Sequence, residues 1–269
     1  MIAIYATLAR HLEHLSSPNC RPEVLDWASP VPFFGNIRNS LVATVGINPS
    51  NREFVDARGG VLRRAEQRLA TLESLKLSYW SDATGASIRE VIDSCERYFE
   101  RNPYRQWFDV LERMLKVGGY SYYSGARACH LDLVALATRD KWGALDRDAQ
   151  QSLIISGRRA MAETIRDAPI EVLVLNGRSV VNVFEKVCDT KLTAREVSAW
   201  TLPRAGSKGV AGVAYTGTIA SIAGVDLDRA VKVFGYNHNL QSSFGVTTNV
   251  MRRIGEQVGA AVASPNKTR

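Results

Sequence analysis

At 269 residues, with 45% hydrophobic and 23% charged content, the chain has enough length for one large domain or two small ones. No stretch approaches the roughly eighteen consecutive apolar residues of a membrane span. The formal charge of +7 is concentrated late, with ten Lys and Arg against four Asp and Glu from Lys191 onward, and a basic surface is the usual electrostatic footprint of a nucleic-acid binder. Cys20, Cys95, Cys129 and Cys188 form no CxxC pair and sit beside no His cluster. That spacing argues against a metal centre and for free thiols in a reducing cytoplasm.

In chain order, MIAIYATLARHLEHL mixes charges into its apolar residues and reads as an amphipathic helix opening an N-terminal helical segment (1–32), not as a signal peptide. LVATVGI (41–47), ARACHLDLV (126–134) and IEVLVLNG (170–177) are apolar and β-branched almost without interruption. Such runs suit strands covered on both faces, as in a parallel sheet. SIREVIDSCERYF and YRQWFDVLERMLKVGG are helical patterns before the second strand, the latter stopping at Gly118-Gly119. DRDAQQSLIISGRRAMAETIRDA opens at Asp146, a plausible N-cap, and RSVVNVFEKVC follows the third strand. The Gly-rich stretch 203–224 reads as an insertion with a hairpin built on VAGVAYTGTIAS. VKVFGYN (231–237) supplies a fourth strand, and VTTNVMRRIGEQVGAAV a closing helix. Strands alternating with helices predict a single three-layer α/β/α domain around a central, mostly parallel four-stranded sheet.

Ligands of such sheets bind in loops at the carboxyl ends of the strands. GINPSNREF, LDLVALATRDKW and YNHNLQSSFG are the loops that leave the sheet there with polar side chains. None has the glycine spacing of a dinucleotide or Walker loop, and no G-x-S-x-G elbow is present.

GINPS behind an apolar strand resembles the first motif of the uracil-DNA glycosylase superfamily, above all its mismatch-specific branch with G-I-N-P-G. NHNLQSS before the last helix is similar to that superfamily's late motif, although its Pro and first Ser are missing. The resemblance spans about residues 33–258. It implies a monofunctional DNA glycosylase that hydrolyses the N-glycosidic bond of a flipped base in double-stranded DNA. It implies no metal, no organic cofactor, no membrane and no obligate protein partner.

On that resemblance Asn48 holds the attacking water and offers its amide oxygen to the cationic sugar, while the same residue types also suit an ordinary strand-ending turn. Glu53 helps to activate the water, with Asp56 a weaker candidate. His238 stabilises the departing base, with Asn237 and Asn239 as alternative occupants of the late-motif position. Ser50, Phe54, Asp132 and Asn239 form the base pocket. Ser50 stands where strict uracil enzymes carry a bulky tyrosine, which leaves room at C5. Asp132 falls near the asparagine that reads uracil, and an ionised aspartate only accepts, which suits the amine of cytosine and opposes uracil O4. The expected substrate is therefore a C5-modified cytosine, such as glucosylated hydroxymethylcytosine in phage DNA. Uracil or a G·T mismatch in repair is the conservative alternative, and a catalytically silent nucleic-acid-binding module the alternative from another class. Arg204, Lys208 and Arg252 are candidates for phosphate contacts, and Gln241, Ser242 and Phe244 for the wedge that enters the duplex.

Overall fold

The computed structural model describes residues 2–16, 21–125, 127–204, 206, 208–241 and 245–263. Its centre is β1 (Val42–Gly46), buried at all five positions, as a strand covered on both faces must be. β1 pairs in parallel with β2 (Ala128–Asp132) on one side and β3 (Val172–Asn176) on the other. β3 pairs in parallel with β6 (Val225–Tyr236), whose carboxyl half is the expected fourth strand. Each of the three early apolar runs thus holds a five-residue strand, and each strand is buried throughout.

The sheet has six strands, not four, in the order β2-β1-β3-β6-β5-β4. The extra pair is antiparallel: β5 (Val213–Ile222) runs against β6, and the edge strand β4 (Thr193–Glu196) against β5. Residues 213–222, assigned from the sequence to a hairpin within an insertion, form one ten-residue strand. The hairpin lies one step later. Ile222 pairs with Val225, and Ala223 and Gly224 between them both take positive φ, at 50° and 77°, which a two-residue turn matched to strand twist requires. Gly217 is in mid-strand because a Cβ there would come within 2.6 Å of Leu192.

The helices fall where the pattern places them: α1 (Ile2–Leu15), α2 (Gly85–Glu96), α3 (Arg105–Val117), α4 (Arg147–Arg166), α5 (Arg178–Val187) and α6 (Thr248–Ala263). Asp146 caps α4, its carboxylate accepting from Ala149 N at 2.7 Å. α3 stops at Gly118, followed by Gly119 at φ 84°. α1 packs on α4 and α3 on α6. Past α1, the chain lies against the segment after β2, with Val31 N donating to Ala135 O and Leu25 N to Ala137 O. Cys95 and Cys129 are buried free thiols, each pushed up to about 12 by burial, and Cys20 lies outside the described residues. Among the described residues no helix is long and apolar enough to cross a membrane.

Candidate active site

The register of β1 and β2 sets the site. Thr44 lies opposite His130 and Gly46 opposite Asp132. Because strand side chains alternate, these four positions share one face. Gly46 is required there: a Cβ on it would stand 2.3 Å from Asp132 Oδ1 and 3.0 Å from His130 Nε2. Beyond Gly46 the chain turns through Asn48-Pro49 into a short 3₁₀ turn, Asn51–Glu53, capped by Ser50 Oγ, which accepts from Arg52 N at 3.1 Å. That turn swings Glu53 back under the loop. Asn48, Ser50, Glu53, His130 and Asp132 line one recess of about 80 Å³ at the carboxyl ends of β1 and β2, walled by Phe34, Tyr104, Trp107 and Phe108.

Each polar group in the recess is held from behind. The amide nitrogen of Asn48 donates to Thr138 Oγ1 at 3.0 Å and to the carbonyls of Pro49 and Leu136 at 3.3 and 3.5 Å. His130 Nε2 stands 3.3 Å from Asp132 Oδ1, and its Nδ1 is 2.7 Å from Thr44 Oγ1, which is hydrogen-bonded in turn to Tyr122 Oη. His130 thus joins Asp132 to Thr44 and Tyr122 in one buried chain of polar groups. The rings of Phe34, Trp107 and Phe108 surround His130 with centroids at 5.5, 4.9 and 5.3 Å. Glu53 is 3% exposed and accepts from Tyr98 Oη at 2.5 Å. Burial pushes its carboxyl up to about 7 and Asp132 adds to the rise, while the Tyr98 bond and the Arg68 charge oppose it.

Four residues expected from the sequence therefore meet: Asn48, Ser50, Glu53 and Asp132. Phe54, expected against the base, does not line the recess. The 3₁₀ turn that points Glu53 inward sends Phe54 into the core, 1% exposed and edge-on to Trp27 at 6.0 Å. His238 does not line it either. It is buried, with Nε2 2.7 Å from the Trp200 carbonyl oxygen, and burial lowers its pKa. Asn237 ties its own loop to Ala211 and Val213, and exposed Asn239 accepts from Gln241 N. Gln241 Oε1 accepts from Asn176 at 3.0 Å. Asp56 lies on an exposed turn, its carboxylate accepting from Arg58 N and Gly60 N. Lys208 and Arg252 are exposed, Arg252 paired with Glu256, and Arg204 is half-buried; none of the three lines the recess. Ser242 and Phe244 lie outside the described residues.

No protein-family model matches the chain, and no curated protein matches it. The site is therefore read from its own chemistry. His130 and Thr138 are the polar residues that the sequence reading missed. For His130 a signal existed: HLD in an apolar strand puts His130 and Asp132 two apart and so on one face. Thr138 had none, since only the fold brings it to Asn48. A larger open groove of about 670 Å³ shares Tyr104 with the recess, and its walls carry Arg52, Arg68, Arg101 and Asn102 together with Asp56 and Glu66. Arg68 lies over the Tyr104 ring at 5.5 Å. Among the described residues, no three His, Cys, Asp or Glu side chains gather as metal ligands would.

Proposed function

We propose that the chain is a monofunctional DNA glycosylase of the uracil-DNA glycosylase type, acting on a flipped, amine-bearing pyrimidine, with a C5-modified cytosine as its favoured substrate. The observation that carries this reading is the meeting of Asn48, Glu53 and Asp132 in one aromatic-walled recess at the strand ends. Aromatic walls suit a planar base, and the cost of extruding one, on the order of a few kcal/mol, is offset by such contacts. Asp132, steadied by His130, accepts from the exocyclic amine. Ser50, small and at the rim, leaves space beside C5.

The C1′–N bond breaks with its electron pair going to the base, leaving an oxocarbenium-like sugar. Asn48 Oδ1 and the Glu53 carboxylate hold a water beside C1′. Its oxygen forms the new bond while Glu53, once ionised, takes the proton. No lysine lines the recess, so Schiff-base lyase chemistry has no amine there. The groove beyond Tyr104, with Arg52, Arg68 and Arg101, supports a path for the sugar–phosphate backbone.

The test is base release from DNA carrying uracil, a G·T mismatch, cytosine, 5-hydroxymethylcytosine or its glucosylated form. Wild type should release the modified cytosines. Asn48→Ala should slow release by roughly 10²- to 10³-fold, and Asp132→Asn should move preference towards uracil. The rate should rise with pH through about 7 as Glu53 ionises. Release of uracil by wild type would overturn the substrate assignment and leave the glycosylase standing. No release from any of these DNAs would overturn the glycosylase.

A further inference from the structure

Asn48 presents either an amide oxygen or an amide nitrogen to the recess, and the two do opposite chemistry. An oxygen accepts from a water and faces positive charge, whereas an amide N–H donates to the water's oxygen and repels positive charge. The hydrogen bonds around the side chain decide which is presented. Thr138 Oγ1 has one proton and donates it to the Asp140 carbonyl at 2.7 Å. Towards Asn48, at 3.0 Å, it can therefore only accept. The Pro49 and Leu136 carbonyls, on the same end of the amide, accept and never donate. Turning the amide over would set its oxygen against three acceptors. The nitrogen is fixed on the Thr138 side, and the oxygen is the end left for the recess.

We propose that Thr138 is a positioning residue that makes Asn48 an acceptor towards the recess, so that the site takes a water or ligand group that donates there. The proposal rests on the glycosylase reading for its catalytic consequence, and on hydrogen-bond geometry alone for the orientation. Thr138 is well placed to hold a fixed direction. It is 2% exposed, bridges to Val24, and its neighbours bond to the 23–25 segment through Leu25 N to Ala137 O and Arg139 N to Glu23 O. The chain between Ala28 and Phe34, also bonded to the segment after β2 and to β2 itself, thereby belongs to the support of the site.

Thr138→Val keeps the shape and removes the acceptor, and Thr138→Ser keeps the acceptor. For base release, Thr138→Val should lower kcat by roughly tenfold to a hundredfold with KM changed less than about twofold. Thr138→Ser should restore most of the rate. In an Asn48→Ala background, Thr138→Val should cost nothing further, since the two residues act as one unit. Independently of activity, the Asn48 side-chain NH₂ resonances, assigned by their loss in Asn48→Ala, should move in Thr138→Val and stay in Thr138→Ser. Unmoved resonances, an unchanged kcat, or a full loss persisting in the Asn48→Ala background would overturn the proposal. Resonances that move as expected in a protein that releases no base would uphold the orientation and overturn the glycosylase reading instead.

Discussion

Glu53 is the residue at which folding and chemistry pull against each other. An acid that ionises at 4.5 in the unfolded chain is held to about 7 in the fold, chiefly by burial. Between those values the folded protein binds a proton that the unfolded chain releases. Stability from this group is therefore greatest at and below about pH 4.5, falls as pH rises towards 7, and is level above that, a difference on the order of 3 kcal/mol. Asp56, whose carboxylate is held low by the backbone N–H groups of Gly60 and Arg58, pulls the other way. Glu53→Gln keeps an acceptor for Tyr98 and cannot ionise. Urea unfolding at pH 5 and pH 8 should show the variant losing less stability between the two than wild type, by a few kcal/mol. Equal losses in both proteins would mean that Glu53 stays solvated. The destabilised carboxylate is what a base working near neutrality needs, which is why such a cost is tolerated at a site and rarely elsewhere. Glu53 was expected, from its place behind GINPS and the resemblance that motif carries, to help activate the water. The 3₁₀ turn that buries it, and turns Phe54 away, was not.

At the scale of elements, the legible ones were those whose own residues decide their form. β1, β2 and β3 are continuous apolar runs, and α4 opens on Asp146 and needs no partner to declare its start. β5 was hidden because Gly217 looks like a loop residue until Leu192 is packed on it. The amino half of β6 was hidden because its pattern, buried at Leu227 and Val231, half-buried at Arg229 and exposed at Asp228 and Ala230, answers to the opposite strand and not to a continuous core. That half has a structural task. Arg229 reaches the carboxyl end of α4, donating to the carbonyls of Ile165 at 2.7 Å and Arg166 at 2.9 Å, and to those of Ala168 and Ile170 just beyond it, the latter at 3.0 Å. The first two belong to the last turn of α4, where a helix leaves its carbonyls short of partners, and the other two to the chain that leads from it into β3. Arg229→Ala strips several at once and should cost about 2–4 kcal/mol, since hydrogen bonds to a charged donor are worth roughly twice neutral ones. Chemical denaturation would measure it. Arg229 lies outside the recess lining, so base-release kinetics at a temperature where the variant is folded should be unchanged. A kinetic loss without a stability loss would contradict this division.

Across the whole molecule, the aromatic wall of the recess depends on how closely two helices approach. α3 carries Trp107 and Phe108 to the site, and its far end crosses α6 backbone to backbone. The contact is built from glycines: a Cβ on Gly255 would stand 2.3 Å from the Met114 carbonyl oxygen, and one on Gly118 would stand 2.9 Å from the Gly255 carbonyl oxygen. Atoms do not approach that closely, so Gly255→Ala must push α6 away from α3. In a close-packed interior such a shift costs about 1–3 kcal/mol and spreads along the helix. The ordinary effect of Gly→Ala in a helix has the opposite sign, stabilising by roughly 0.5–1 kcal/mol. Gly85, at the start of α2, supplies the comparison: a Cβ there meets nothing nearer than Arg89 Nη1 at 3.8 Å. Thermal unfolding of the two variants should therefore move in opposite directions, Gly255→Ala down by several degrees and Gly85→Ala level or slightly up. If Gly255→Ala also weakens base release while Gly85→Ala does not, the α3–α6 crossing sets the spacing of the recess wall. If both variants are stabilised, the crossing is looser than its glycines indicate, and the wall is held by the packing of Phe34, Phe108 and His130 alone.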